Sequence, residues 1–158
     1  VDEKLVFLRS CYHSAANLSQ GLDVIREALT CDSLNLADVL FHSITVICAY
    51  LGIHTKIMRT SDYVQDSALC REERIFDYCR QWGADTYYNA IVGKELYSQK
   101  QFAEHDLKLA FVECIPKPYP QESKEFIPYL SIVDIILNCS RDEACDMLAD
   151  YKLITECD

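Results

Sequence analysis

The sequence predicts an α/β fold, a mostly parallel sheet of three or more strands with helices on both faces, ending in a helical C-terminal segment. Three observations predict it. Tyr50-Leu51-Gly52-Ile53-His54-Thr55 and Gln81-Trp82-Gly83-Ala84-Asp85-Thr86 align at an offset of 31 residues, and in each a helix-period pattern stops at a glycine and yields to strand formers. A third unit follows, a helix over Lys94–Glu104 and a strand over Leu107–Glu113 in which Leu107, Leu109 and Phe111 alternate. Strands separated by helices of this length pair in parallel through right-handed crossovers.

At 158 residues the chain suits a single α/β domain over 1–158, able to bury roughly two-thirds of its unfolded surface without staples. Val1 is not a methionine and no leader pattern precedes the fold, so an upstream N-terminal segment is expected to be missing. The formal charge of −10 argues against nucleic acid as a partner, and a small anionic ligand would need a local positive pocket. The longest apolar stretches, Ile44–Leu51 and Tyr129–Leu137, are interrupted by Thr45, Ser131 and Asp134, which predicts no membrane span. Nine cysteines without a C-x-x-C pair read as free thiols of a cytoplasmic protein, not a disulfide framework or zinc site. His13, His42, His54 and His105 have no H-x-x-x-H spacing, so no metal is expected.

Taken in order, Leu5-Val6-Phe7-Leu8 reads as a short strand or the tail of a trimmed element. Leu18, Leu22, Ile25 and Leu29 recur at helical spacing up to Thr30. Asn35 or Ser33 can cap the next helix, whose apolar residues run from Leu36 to Leu51, and Gly52 ends it. Ile53–Arg59 reads as a strand and Thr60-Ser61-Asp62 as its end loop. Arg71–Trp82 places Ile75, Phe76, Cys79 and Trp82 on one helical face, Gly83 stops it, and Ala84–Asn89 is the next strand. Pro116, Pro118 and Pro120 form a rigid loop, since proline lacks a donor and fixes its backbone angle. Tyr129–Leu137 then reads as a buried helix, Arg141–Ala149 as the last one, and Tyr151–Ile154 closes the domain.

The stretch Trp82–Tyr97 holds two of the four glycines and the only tryptophan. Within it, Asn89–Glu95 lies where a strand gives way to a helix, the place where open α/β sheets bind ligands and free amides favour anions. Gly93 allows close backbone approach and Lys94 offers a point charge; a glycine turn before a solvated Lys-Glu helix start is the structural alternative. The same topology sets Arg59, Ser61 and Asp62 at the end of the preceding strand, beside Asn89–Lys94. Arg59 would clamp an anion there, whereas Ser61-Asp62 also suits an ordinary helix cap. Asp134 stands in an apolar run where an unpaired carboxylate would be costly, so it needs a partner or a pocket. Tyr87 and Tyr88 point to opposite sides of a strand, one ring to the core and the other to a sugar-stacking surface.

Leu51-Gly52-Ile53-His54-Thr55-Lys56 with Arg59-Thr60-Ser61-Asp62, then Gly83-Ala84-Asp85-Thr86-Tyr87, Gly93-Lys94 with Tyr97, and Phe126-Ile127-Pro128-Tyr129-Leu130-Ser131-Ile132-Val133-Asp134 follow one another in order. In this succession the chain resembles the WbqC-like protein family of bacterial polysaccharide gene clusters, over its C-terminal two-thirds, from Leu36 to Ile154. Family members usually open with a strand and a Gln-Pro-containing, aromatic-rich loop, which nothing before Leu36 matches. The resemblance implies a cytoplasmic protein of surface-polysaccharide (O-antigen) biosynthesis. An aminoacyl (glycyl) transfer onto an amino sugar has been suggested for relatives. Such a transferase needs an activated carboxyl, from ATP or a carrier thioester, and a small-molecule or sugar-nucleotide ligand. Arg59 and Lys94 would hold the anionic ligand, Asn89 and Gly93 shape the loop, Ser61, Asp62 and Tyr88 contact substrate, and Asp85 or Asp134 serve as base. A non-catalytic sugar-nucleotide-binding or partner-binding protein of the same pathway is the alternative.

Overall fold

The computed structural model describes residues 1–63, 68–69 and 71–155. The chain divides into two compact units, one of Val1–Arg59 with Pro116–Ala149, the other of Thr60–Ile115 with Asp150 onward.

The first unit is helical. It contains α1 (Asp2–Cys11), α2 (Leu18–Leu29), α3 (Leu36–Tyr50), α6 (Ile132–Asn138) and α7 (Arg141–Asp146), the last followed by a 3-10 turn at Met147–Ala149. Leu5 from α1, Leu22 and Ile25 from α2 and Leu137 from α6 form its core, with Leu8, Tyr12, Leu18 and Val133 packed around them. Leu5, Leu8 and Tyr12 recur at helical spacing, so Leu5–Leu8, read as a short strand or the tail of a trimmed element, is part of a helix whose outward residues, Val6 and Phe7, stay exposed. Gly21 lets α2 approach α6 closely, since a Cβ there would lie 2.8 Å from the Ile136 carbonyl oxygen. That carbonyl, free at the helix end, accepts the Asn17 amide at 2.9 Å, and the Leu137 carbonyl accepts the Asn17 backbone N–H at 3.0 Å. Asn35 caps α3, accepting the Ala37 N–H at 2.8 Å, and Ser140 with Glu143 forms a capping box on α7.

Ile53–Arg59, expected as a strand, belongs to no strand. Its last residue turns back to α3, where Arg59 pairs with Asp38 and sits 5.3 Å over the Phe41 ring. Strand-forming residues make a strand only where another edge accepts their backbone groups. The helix expected at Tyr129–Leu137 starts only at Ile132, because Tyr129 has a φ of 59° and Ser131 takes the cap.

The second unit contains a 3-10 turn at Thr60–Asp62, α4 (Glu72–Trp82), β1 (Thr86–Ala90), a 3-10 segment at Ile91–Leu96, α5 (Gln99–Glu104), β2 (Lys108–Cys114) and β3 (Tyr151–Ile154). The helix expected over Lys94–Glu104 is thus broken at Tyr97–Ser98. The sheet order is β1-β2-β3. The two strands joined through α5 are parallel, Tyr87 opposite Leu109, as the crossover rule requires. β3 runs antiparallel to β2, with Phe111 opposite Ile154, so the sheet is mixed and not mostly parallel. Leu109, Phe111, Tyr87 and Ile154 share one face, and Phe76 and Cys79 of α4 and Phe102 of α5 pack there together. Within this unit, then, the two helices lie on one face, not one on each. Gly83 ends α4 at a φ of 64°, as its position predicted.

Among the described residues, no helix is long and apolar enough to cross a membrane, and no group of three or more His, Cys, Asp or Glu side chains is placed to hold a metal.

Candidate functional site

The most constrained polar group of the first unit is Asp134. It sits in the first turn of α6, only 6% exposed, between Val133 and Ile135. A carboxylate taken out of water must be paired or strongly hydrogen-bonded. Tyr12, at the C-cap of α1, donates its hydroxyl to Asp134 Oδ1 at 2.9 Å, and Tyr119, from the proline loop, donates to Oδ2 at 2.6 Å. Gln121 Nε2 approaches Oδ2 at 3.4 Å. Burial, and then the hydrogen bond to Asp134, pushes both phenols up to about 12, so both act as donors at neutral pH.

This carboxylate lines an open cleft of about 270 Å³, together with Cys11, Gln121, Glu122 and Leu130. Gln121 stiffens one wall, donating to the Ile127 carbonyl at 3.0 Å and accepting the Ile127 N–H at 2.8 Å. Glu122 is anchored by the Ser14 hydroxyl and backbone N–H, which hold its carboxyl below the usual range, with the His13 ring 3.8 Å away. The cleft therefore presents one buried and one exposed carboxylate on a fixed frame. A larger groove of about 440 Å³ beside α1 is lined by Phe7, Leu8, Ile25, Leu29 and Val133, with Glu3 and Lys4 also in its wall.

The other predicted residues fall elsewhere. Arg59 belongs to the helical unit, where Asp38 and Phe41 engage its guanidinium. Since it ends no strand, topology no longer sets it beside Asn89–Lys94. Ser61 and Asp62 form the exposed 3-10 turn that opens the second unit. Asn89 and Gly93 do meet: the Asn89 side chain accepts the Ala90 N–H at 2.7 Å and covers Gly93, where a Cβ would stand 3.2 Å from Asn89 Nδ2. The glycine thus admits a neighbouring side chain. Lys94 follows in the same 3-10 segment, half-buried. Asp85 precedes β1, exposed and bonded to the Thr86 hydroxyl at 2.7 Å. Four residues of strand, about 13 Å, separate it from Asn89. Tyr88 is 56% exposed, whereas Tyr87 packs against Tyr97 and Phe102.

Sequence reasoning found Asp134, through the cost of a carboxylate in an apolar run, but missed Tyr12, Tyr119, Gln121 and Glu122. Nothing in their spacing marks them, because Tyr12 and Asp134 are 122 positions apart.

Comparison with known proteins agrees with the reading of the motifs and widens it. The chain is 27% identical over 139 residues to "Uncharacterized protein Rv1507c" of Mycobacterium tuberculosis, a match covering 87% of this chain and 59% of that relative. The chain thus spans about three-fifths of the relative's length. No solved structure matches the chain. The model of the WbqC-like protein family matches residues 2–145, including α1 and α2, so the likeness is not confined to the C-terminal two-thirds. The chain belongs to the WbqC-like protein family.

Proposed function

We propose that this protein works in the cytoplasmic phase of bacterial surface-polysaccharide (O-antigen) biosynthesis, transferring an aminoacyl group, glycyl in the simplest case, to an amino sugar. The single observation that carries the reading is Asp134, a carboxylate nine-tenths buried yet lining an open cleft, with its two oxygens fixed by Tyr12 and Tyr119. A purely structural carboxylate would not need a cleft beside it.

In the proposed reaction the sugar nitrogen attacks the carbonyl carbon of an activated aminoacyl group. The new C–N bond is an amide, the bond from the acyl carbon to its leaving group breaks, and the electron pair leaves with a thiolate or an adenylate. The sugar ammonium first gives one proton to Asp134, whose orientation the two tyrosines set, which frees the nitrogen lone pair for attack; the second N–H proton goes to the departing leaving group. A fixed acceptor within reach of the nitrogen contributes proximity and proton removal without reorganisation. Asp85, exposed at the far end of β1, is the weaker choice of base. Lys94, with Asn89 and Gly93 shaping its turn in the second unit, is our candidate for an anion contact, proposed apart from the Asp134 cleft.

The test is turnover: an amino sugar incubated with glycyl thioester, or with glycine and ATP, gains the mass of one glycyl residue. Asp134→Asn, if folded by circular dichroism, should lower the rate by 100-fold or more. Binding of the sugar without a mass change under either donor regime would leave the non-catalytic reading in its place.

A further inference from the structure

We infer that the cleft over Asp134 takes its ligand as a cation, through a primary ammonium group, and that Glu122 selects for it. This rests on the proposal that the same cleft holds an amino sugar, and it names the charge state and the selecting residue.

Among the described residues, the charged ones that line the cleft are Glu122 and Asp134, with no lysine or arginine. A phosphate or a carboxylate entering there would meet two negative charges and no compensating donor of positive charge. The hydroxyls that reach Asp134 are already committed as donors to it, so a ligand must bring its own N–H or O–H groups. An ammonium brings three donors and the complementary charge.

Glu122 is suited to the discriminating role by its placement. Oε1 is tied to Ser14, from the segment after α1, which keeps the carboxylate at the mouth of the cleft. The His13 ring lies near the same oxygen but is 76% exposed and is not part of the lining. A free hydroxyl at the corresponding sugar carbon gains no charge from Glu122. An N-acetyl group loses the charge and adds volume to a cleft of about 270 Å³.

The experiment is isothermal titration of the full chain with glucosamine hydrochloride at neutral pH, beside glucose, N-acetylglucosamine and glucose 1-phosphate. Saturable binding of glucosamine at least tenfold tighter than the other three is expected. Glu122→Gln, an exposed position whose variant is checked for folding by circular dichroism, should reduce that preference to threefold or less. Comparable binding of glucose or N-acetylglucosamine, no binding of glucosamine, or an unchanged preference in Glu122→Gln overturns the inference. Selective glucosamine binding without glycyl transfer would remove the catalytic proposal and leave this one standing. Turnover that does not distinguish Glu122→Gln from the native chain would do the reverse.

Discussion

Tyr12, at the C-cap of α1, donates its hydroxyl to Asp134 on α6 at 2.9 Å, across 122 positions of sequence. With Tyr119 on the other oxygen at 2.6 Å, one carboxylate ties together α1, the proline loop and α6.

Replacing either tyrosine by phenylalanine removes a donor from a buried charge. Each of Tyr12→Phe and Tyr119→Phe should cost roughly 1.5 kcal/mol, the low end for a hydrogen bond to a charged group because the site is part-exposed. Both act on one carboxylate, so the double variant should depart from additivity by about 0.5 kcal/mol or more. Urea denaturation of the four proteins measures this; additivity would mean that the two bonds are independent.

The same pair predicts an alkaline transition. Their phenol pKa values stand at about 12 in the folded chain, raised first by burial and then by Asp134, against about 10 in an unfolded one. A group whose folded pKa is raised contributes stability that is complete below pH ~10 and is lost as pH rises through ~12. Stability should therefore fall across that window, and Tyr12, Tyr119 and Tyr87, which burial also pushes up to about 12, should ionise late in the 295 nm absorbance titration. In Tyr12→Phe the late phenols should fall from three to two, and three persisting would contradict the assignment.

Gly21→Ala should destabilise the helical unit. The added Cβ would lie 2.8 Å from the Ile136 carbonyl oxygen and 3.0 Å from Leu137 Cδ2. The leucine can rotate, but the backbone oxygen is held by Asn17. Overpacking of this kind costs about 1–3 kcal/mol, and the better helix propensity of alanine, about 1 kcal/mol, offsets part of it. A lower thermal midpoint is expected, and a rise would show that α2 and α6 separate without penalty. At Gly83 a Cβ meets nothing within 4 Å, so Gly83→Ala should lose only the roughly 1–2 kcal/mol of left-handed backbone strain.

Lys94→Ala should leave stability within about 0.5 kcal/mol, as for a substitution outside the core. If the turn after β1 takes the anionic ligand, saturable thermal stabilisation by ATP or a UDP-sugar disappears in Lys94→Ala and survives in Glu122→Gln. The opposite pattern would move the anion to the cleft and contradict the charge reading of both places.

Local signals were legible wherever the physics is local. The spacing of Leu18, Leu22, Ile25 and Leu29 marked α2, Asn35 marked the start of α3, and Gly83 marked the end of α4, each through interactions within one turn of the chain. The alternation of Leu107, Leu109 and Phe111 marked β2 and its buried face. Ile53–Arg59 misled because its residue types favour a strand while, among the described residues, no strand edge receives it. At Leu5–Leu8 four apolar residues in a row fit either period, and the choice fell to Leu22 and Leu137, which bury Leu5 and leave Phe7 outside.

The sequence by itself determined most of the helices, the glycine stops, the parallel pairing of β1 and β2, and the demand that Asp134 find a partner. Each follows from short-range periodicity or from the cost of burying a charge, and neither needs distant coordinates. The tertiary structure alone decided the antiparallel arrival of β3 and the fact that Asp134's partners are Tyr12 and Tyr119. A hydrogen bond acts over about 3 Å in space, and whether residues a hundred positions apart come that close depends on how whole helices pack.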